Sequence, residues 1–469
     1  MRYLGGMDTM FVRAETRSML LHVTGVLVLA PGARSTVQVR DQIREVVRCR
    51  LPAVPPLRWR LVEPPGGLGA LRWVDDPDFD PINHVHLRAL PAGASWRDVE
   101  AVTGEIAARP LDRHKALWEM YVLDGMADGT IPVVAKFHHA FMDGGAGMEL
   151  MAALFDLDPD VEIEPLDGGR EAEPVPSRWQ LLVATPGEVV QRLGRVPVAL
   201  ATLTGLGRLA GGLLPIHRGI VRQQAVRTSF NRTLGCSRAV ALTACSLDDA
   251  KATARAFNVK LNDVVLAAVA SSLRDVLDGE HLAGTIIAAV PISIRASHPE
   301  ARFGNHTSAM LVPLPVNVAD PVDRLELLAE ATKAAKAEHA TMGNDLIERW
   351  AGVVPPWLIS TGARLARRVE LTSRLPPFYN LIVSNVAGPP VPIYLAGSEV
   401  LATYPLGPLL DGIGLNVTVI SQRDQINVGI LCDPNLLPDP GALGGRFTAA
   451  IEALTRASSS PQRTAVGAR

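Results

Sequence analysis

The sequence predicts a mixed α/β fold built as two lobes. Strand-like β-branched runs alternate with helical periodicities along the whole chain. Its 469 residues exceed one core's share, at roughly 100 to 200 residues per domain. Between Asp156 and Glu173, eight acidic residues and a single Arg, mixed with Pro and Gly, separate one αβ block from the next. Composition agrees: 48 % hydrophobic and 20 % charged residues exclude a mainly disordered or coiled-coil chain.

The elements follow in order. Met19 to Gly32 is a β-branched run closed by Pro31-Gly32, hence a buried strand. Ser35 or Thr36 then caps a helix in which Val37, Val39, Ile43, Val46 and Val47 recur at helical spacing through Cys49. Arg58 to Val62 and Asn83 to Leu90 read as short strands, and Ser95 with Asp98 as a capping box opening a helix that Pro110 stops. Strands Leu117 to Leu123 and Ile131 to Phe137 flank the turn sequence DGMADGT, and a helix follows from about Gly147 to Leu154. After the acidic stretch, Glu188 to Arg232 carries seven Arg and one Glu among apolar residues. That pattern suits a basic amphipathic segment on an anionic lipid surface or a linker helix pair with solvated arginines.

The second block starts near Cys236. Leu247 to Phe257 and the very apolar Leu261 to Leu277 read as helices, the latter as core. Thr285 to Ile292 and Thr307 to Pro313 read as strands, and Val322 to Met342 as a long helix. Leu381 to Asn385, Ser398 to Ala402, Gly414 to Ser421 and Gln425 to Cys432 alternate strand patterns with Gly/Pro turns before a last helix, Leu443 to Arg456. The division expected is therefore a first lobe over 1–160, a connecting segment over 161–232 and a second lobe over 233–469.

Basic and acidic residues nearly cancel, 46 against 48, so no nucleic-acid partner is expected and any charged ligand must be met locally. Cys49, Cys236, Cys245 and Cys432 are scattered without a CxxC pair, which suggests neither structural zinc nor a disulfide framework and suits a reducing cytoplasm. The opening residues meet charge too early for a signal peptide. Val196 to His217, the longest nearly uncharged stretch, is interrupted by Arg208, Gly and Pro and falls short of the ~20 apolar residues of a spanning helix.

The sharpest chemical feature is His138-His139-Ala140-Phe141-Met142-Asp143-Gly144, where an apolar strand runs into a Gly-rich turn. A His at a strand's mouth can present one imidazole nitrogen to a cavity, and Asp143 can order the loop or hold the ring. Gly144 and Gly145 allow the tight return. Two adjacent histidines can equally be a polar strand end satisfied by neighbouring carbonyls. A shared metal is disfavoured, because adjacent strand side chains point to opposite faces. The chain has no GxSxG elbow, which favours direct transfer over a covalent intermediate.

HHAFMDG matches HHxxxDG, and the chain resembles the bacterial wax ester synthase/diacylglycerol O-acyltransferases, a branch of the chloramphenicol acetyltransferase-like superfamily. Leu4 to Glu15 followed by His22-Val23 is similar to the family's opening, with Gly5 and Gly6 where a Ser is usual. Arg109 to Asp112 with Leu117-Trp118-Glu119-Met120 resembles its PLW block, with Ala116 in place of Pro. Asn262-Asp263-Val264-Val265-Leu266, Pro291 to Arg295 with Gly304-Asn305, and Ser384-Asn385-Val386-Ala387-Gly388-Pro389 match further blocks in family order.

The resemblance implies two chloramphenicol acetyltransferase-like lobes with a tunnel and active site at their interface. Acyl-CoA would be the co-substrate, with no cofactor and no metal, and the acceptor would be diacylglycerol or a long-chain alcohol. His139 would be the general base, His138 a supporting or assisting residue, and Asp143 an ordering residue paired with an arginine such as Arg295. Asn262, Asp263, Asn305, Ser384 and Asn385 are candidates for substrate contact, although Asn262-Asp263 also reads as a helix cap and Ser384-Asn385 as a turn. Association with the inner face of the plasma membrane or with lipid inclusions is expected, because acceptor and product are insoluble in water. Two readings compete: a carrier protein as acyl donor, and a lipid-binding paralogue of low activity.

Overall fold

The computed structural model describes residues 2–65, 69–141, 144–161, 175–177, 179–183, 185–187, 225–277, 284–293, 307–342 and 356–459. The first lobe begins with strand β1 (Arg2–Tyr3) and helix α1 (Gly6–Ala14), then β2 (His22–Leu29) and α2 (Thr36–Arg50). Ser35 and Gln38 cap α2 reciprocally: Ser35 Oγ accepts from the Gln38 N–H at 3.3 Å, and Gln38 Oε1 accepts from the Ser35 N–H at 2.8 Å. Strands β3 (Trp59–Val62), β4 (Arg72–Asp75) and β5 (Val85–Ala94) precede helix α3 (Trp96–Ala107), capped by Ser95 and Asp98. Strands β6 (Trp118–Met126) and β7 (Ile131–His138) form the expected hairpin, and α4 (Gly144–Leu154) follows. Gly144 thus opens a helix, so the Gly-rich turn is shorter than its composition suggests.

The second lobe runs β8 (Ala239–Ser246), α5 (Leu247–Ala256), α6 (Leu261–Arg274), β9 (Ile286–Ser293), β10 (Thr307–Leu314), α7 (Pro321–Met342), α8 (Pro356–Arg368), α9 (Leu371–Arg374), β11 (Leu381–Ala387), β12 (Tyr394–Leu395), β13 (Ser398–Leu406), β14 (Leu415–Gln422), β15 (Gln425–Cys432) and α10 (Pro440–Ser458). Its sheet has the order β10-β9-β11-β14-β15-β8. The first lobe's sheet has the order β12-β13-β2-β7-β6-β5, and β1, β4 and β3 form a small third sheet. Strands β12 and β13 therefore cross from the second stretch of chain into the first lobe's sheet, where Tyr404 lies opposite Val26. Helices α1 and α8 and strands β4 and β8 were not legible as elements in the sequence. Among the described residues no single helix is long and apolar enough to cross a membrane. Residues 162–173 of the acidic run and most of the arginine-rich segment lie outside the described residues.

Two glycines let the lobes approach. A Cβ on Gly104 of α3 would sit 2.5 Å from the Arg238 carbonyl oxygen, and one on Gly429 of β15 would sit 2.0 Å from that of Pro405 on β13. Polar contacts pin the same junction: the Leu242 N–H donates to Glu100 Oε1 at 2.8 Å, and the Arg238 guanidinium donates to the Ser18 carbonyl.

Candidate active site

Strand β7 sorts its side chains by the two-residue period of a pleated strand. Ile131, Val133 and Ala135 join the apolar cluster beneath α2 and α4. Val134 joins Val26, Leu123 and Val99 beneath α3. Lys136 and His138 continue that second row, both buried, and their cross-strand partners on β2 are Thr24 and His22. The apolar face of the lobe thus gives way, toward the strand's mouth, to a buried row of ionisable groups.

Glu15, just past α1, closes this row. Its Oε1 lies 3.2 Å from His22 Nε2 and its Oε2 lies 3.6 Å from His138 Nε2. Arg113 approaches Oε2 at 2.6 Å from the solvent side and also donates to the Val12 carbonyl at 3.0 Å. Burial alone would raise the Glu15 carboxyl, but the two imidazoles facing it hold it well below the usual carboxylate range. Burial likewise pulls His22 down to about 4, against the raising effect of Glu15, so this ring is neutral near pH 7. Lys136 is also lowered by desolvation, with Glu119 at 3.3 Å and the carbonyls of Ile106 and Arg109 each at 3.2 Å as partners.

His138 is locked. Its Nδ1 accepts the Ala140 N–H at 3.0 Å, so the neutral ring carries its proton on Nε2, facing Glu15. This decides between two readings of the cluster. The ligand atoms of Glu15, His22 and His138 all lie within 4.8 Å of one another, a spacing that could hold a metal ion. Metal on His138 Nε2 would require the proton on Nδ1, where the Ala140 N–H already points. The residues therefore fit an anion held between imidazole N–H groups better than a metal centre.

His139 is held by its backbone, its N–H donating to the Leu21 carbonyl at 2.7 Å, while the Phe141 N–H closes the turn onto the His138 carbonyl at 2.9 Å. Its ring is partly exposed and lies against Phe11 of α1, with centroids 4.7 Å apart. The two histidines thus part company: one faces the buried carboxylate, the other lies half-buried against Phe11. Trp118 is core, fully buried, donating its indole N–H to the Leu57 carbonyl at 2.7 Å.

Of the other expected residues, Asp143, Arg295 and Asn305 lie outside the described residues, and Gly144 opens α4. Asn262 and Asn385 are brought together across the second lobe, Asn385 Nδ2 donating to Asn262 Oδ1 at 3.4 Å. Asp263 is turned inward: its Oδ2 accepts the Lys260 N–H at 2.9 Å and its Oδ1 the Thr332 hydroxyl at 2.7 Å, so it serves as the cap of α6. Ser384 lies half-buried on β11 beside Thr418 of β14. Sequence reasoning did not single out Glu15, His22 or Arg113 for the site. Glu15 and His22 fall inside the opening that resembled the family, but only strand pairing brings them to His138.

Comparison with known proteins bears on the family and the fold. Residues 4–265 match the family described as the wax ester synthase/diacylglycerol acyltransferase catalytic domain, and residues 303–455 match the corresponding C-terminal domain. A Mycobacterium tuberculosis protein provisionally named a diacylglycerol O-acyltransferase is 34 % identical over 446 residues, covering 94 % of this chain and 93 % of that relative. The solved wax ester synthase/diacylglycerol acyltransferase of Marinobacter aquaeolei VT8 superposes with a TM-score of 0.70 at 22 % identity, covering 98 % of this chain and all of that one. A starter condensation domain of rhizomide synthetase, solved with C8-CoA and Leu-SNAC, shares the fold at a TM-score of 0.55 and 14 % identity, covering 98 % of this chain and 94 % of that one.

Proposed function

Because the chain belongs to the wax ester synthase/diacylglycerol acyltransferase family and is an acyltransferase, we propose that it transfers a long-chain fatty acyl group from CoA to the hydroxyl of diacylglycerol, giving triacylglycerol. The observation that carries the reading is the division of labour at the strand's mouth. His138 Nδ1 is held by the Ala140 N–H and its Nε2 faces Glu15 at 3.6 Å, while His139 lies half-buried against Phe11.

In this reading His139 takes the proton of the acceptor hydroxyl as that oxygen attacks the thioester carbon. A C–O bond forms, and the tetrahedral oxyanion collapses with cleavage of the C–S bond. The imidazolium returns its proton to the departing thiolate, releasing CoA. No acyl-enzyme is formed and no cofactor or metal takes part. Asp143 orders the turn, with Arg295 as the candidate partner, and Gly144 allows its tight return. Asn262, Asn385, Ser384 and Asn305 are the candidate donors to the oxyanion or the substrate, and Asp263 supports Asn262 by capping their common helix. The reaction would take place at the inner face of the plasma membrane or on lipid inclusions, where an insoluble acceptor is met and an insoluble product can be stored.

The test is a labelled acyl-CoA assay with diacylglycerol and hexadecanol, run on the wild type and His139→Ala. Triacylglycerol as the main product, lost in the variant, supports the reading. Wax ester as the sole product would move the acceptor to long-chain alcohols, and full activity of His139→Ala would remove the base assignment.

A further inference from the structure

Where α1 of the first lobe meets α8 of the second, a cleft of about 690 Å³ opens to solvent. Its walls carry Arg13, Arg17, Arg113 and Arg364, together with Glu15 and Cys236. That volume is in the range of small-molecule sites, about 300 to 1,000 Å³, but the lining is unlike that of an apolar lipid pocket. Four guanidiniums face two carboxylates, Glu15 and the adjoining Glu63, which pairs with Arg13 at 3.0 Å and Arg113 at 3.2 Å. Arg17 and Arg364 pair with no carboxylate among the described residues, and Arg364 donates only to its own helix, at the Ser360 carbonyl.

Arg13 adds a second, independent observation. Its side chain is 10 % exposed, yet its Nε and Nη2 have no hydrogen-bond partner among the described residues. A buried guanidinium whose Nε and Nη2 are enclosed without an acceptor is costly unless the side chain turns to meet one, and a guanidinium fork matches phosphate oxygens. An uncharged diacylglycerol head has no use for such a lining.

We infer that this cleft is a binding site for a phosphate-bearing ligand, held by Arg13, Arg17, Arg113 and Arg364. The inference builds on the acyl-CoA reading above. Two sources offer the required chemistry, the phosphates of the CoA donor and the phosphorylated headgroup of a membrane lipid. Because Arg113 also touches Glu15, the bound anion would lie one guanidinium and one carboxylate away from His138.

Binding of desulfo-CoA, followed by calorimetry, and sedimentation with phosphatidylcholine vesicles containing or lacking phosphatidic acid distinguish the sources. Both use the full chain without acceptor or thioester, so they are independent of turnover. The double variant Arg17→Gln/Arg364→Gln changes two exposed side chains and should weaken one of the two ligands about tenfold or more. In the wild type the same ligand should protect Cys236, which is exposed, from a maleimide. Weakened desulfo-CoA binding assigns the cleft to the donor, and weakened phosphatidic acid binding assigns it to a lipid head. Unchanged binding of both, with Cys236 unprotected by either, overturns the site. A wild type that binds desulfo-CoA here yet forms no ester would instead overturn the functional reading alone.

Discussion

The two lobes each carry a six-stranded sheet, and they spend its buried face differently. In the second lobe, α6 lies within the core: Val264 to Ala270 and Leu273 are buried and pack with the inward residues of β9, β11, β14 and β15 and with Phe447 of α10. In the first lobe the face beneath α3 begins with Val134 and Leu123 but continues into Lys136, His138, His22 and Glu15. Burying such groups is unfavourable unless charges are offset, and here Glu15 faces both imidazoles, Glu119 faces Lys136 and Arg113 pairs with Glu15 at the rim. One copy of the architecture thus serves as scaffold while the other keeps a polar core that orients the neighbouring backbone.

Breaking the first lobe's chemistry should give the largest effect. His139→Ala is expected to lower turnover about 100- to 10,000-fold with little change in melting temperature, measured by ester formation beside calorimetry. An unchanged rate would make both lobes mere scaffold. In the second lobe, Leu266→Ala should instead cost about 2 to 5 kcal/mol of stability by cavity formation, read from denaturant midpoints, and leave the pH dependence of activity as it was.

Acid sharpens the contrast further. His22 has its folded pKa depressed to about 4 from 6.5. Between these values the unfolded chain binds a proton that the folded one does not, so stability falls as pH drops from 6.5 toward 4. The expected loss is about 3 kcal/mol, visible as a falling melting temperature that flattens in His22→Phe. A flat profile in the wild type would mean that the ring is not held neutral. The smallest effect is expected at the cap of α6, where Asp263→Ala should cost about 1 kcal/mol without changing the reaction order in either substrate.

The histidine motif was legible because its parts are neighbours: an apolar run, two His and a Gly-rich turn can be seen within a dozen letters. The capping boxes at Ser35 and Ser95 were legible for the same reason. Glu15 and His22 were not, since nothing in local pattern says that β2 pairs antiparallel with β7 in the register that sets His22 opposite His138. The arginine cleft was still less visible. Arg13, Arg113 and Arg364 come from three distant segments, and Arg364 sits on α8, a helix not legible as an element in the sequence.

The transfer of β13 into the first lobe's sheet shows the same limit. Its residues read as a strand from composition, but a strand pattern carries no address, and the edge it joins is chosen by which neighbour leaves no hydrogen bond unmade. By itself the sequence determined the identity and order of most elements, the two-lobed class and the histidine pair at a strand's mouth, because periodicity and capping act over a few residues. Only the tertiary structure decided which histidine faces a buried carboxylate, which lies against Phe11, and that four arginines share one cleft. Those depend on register and on the contact between lobes, which are set by packing across the chain's full length.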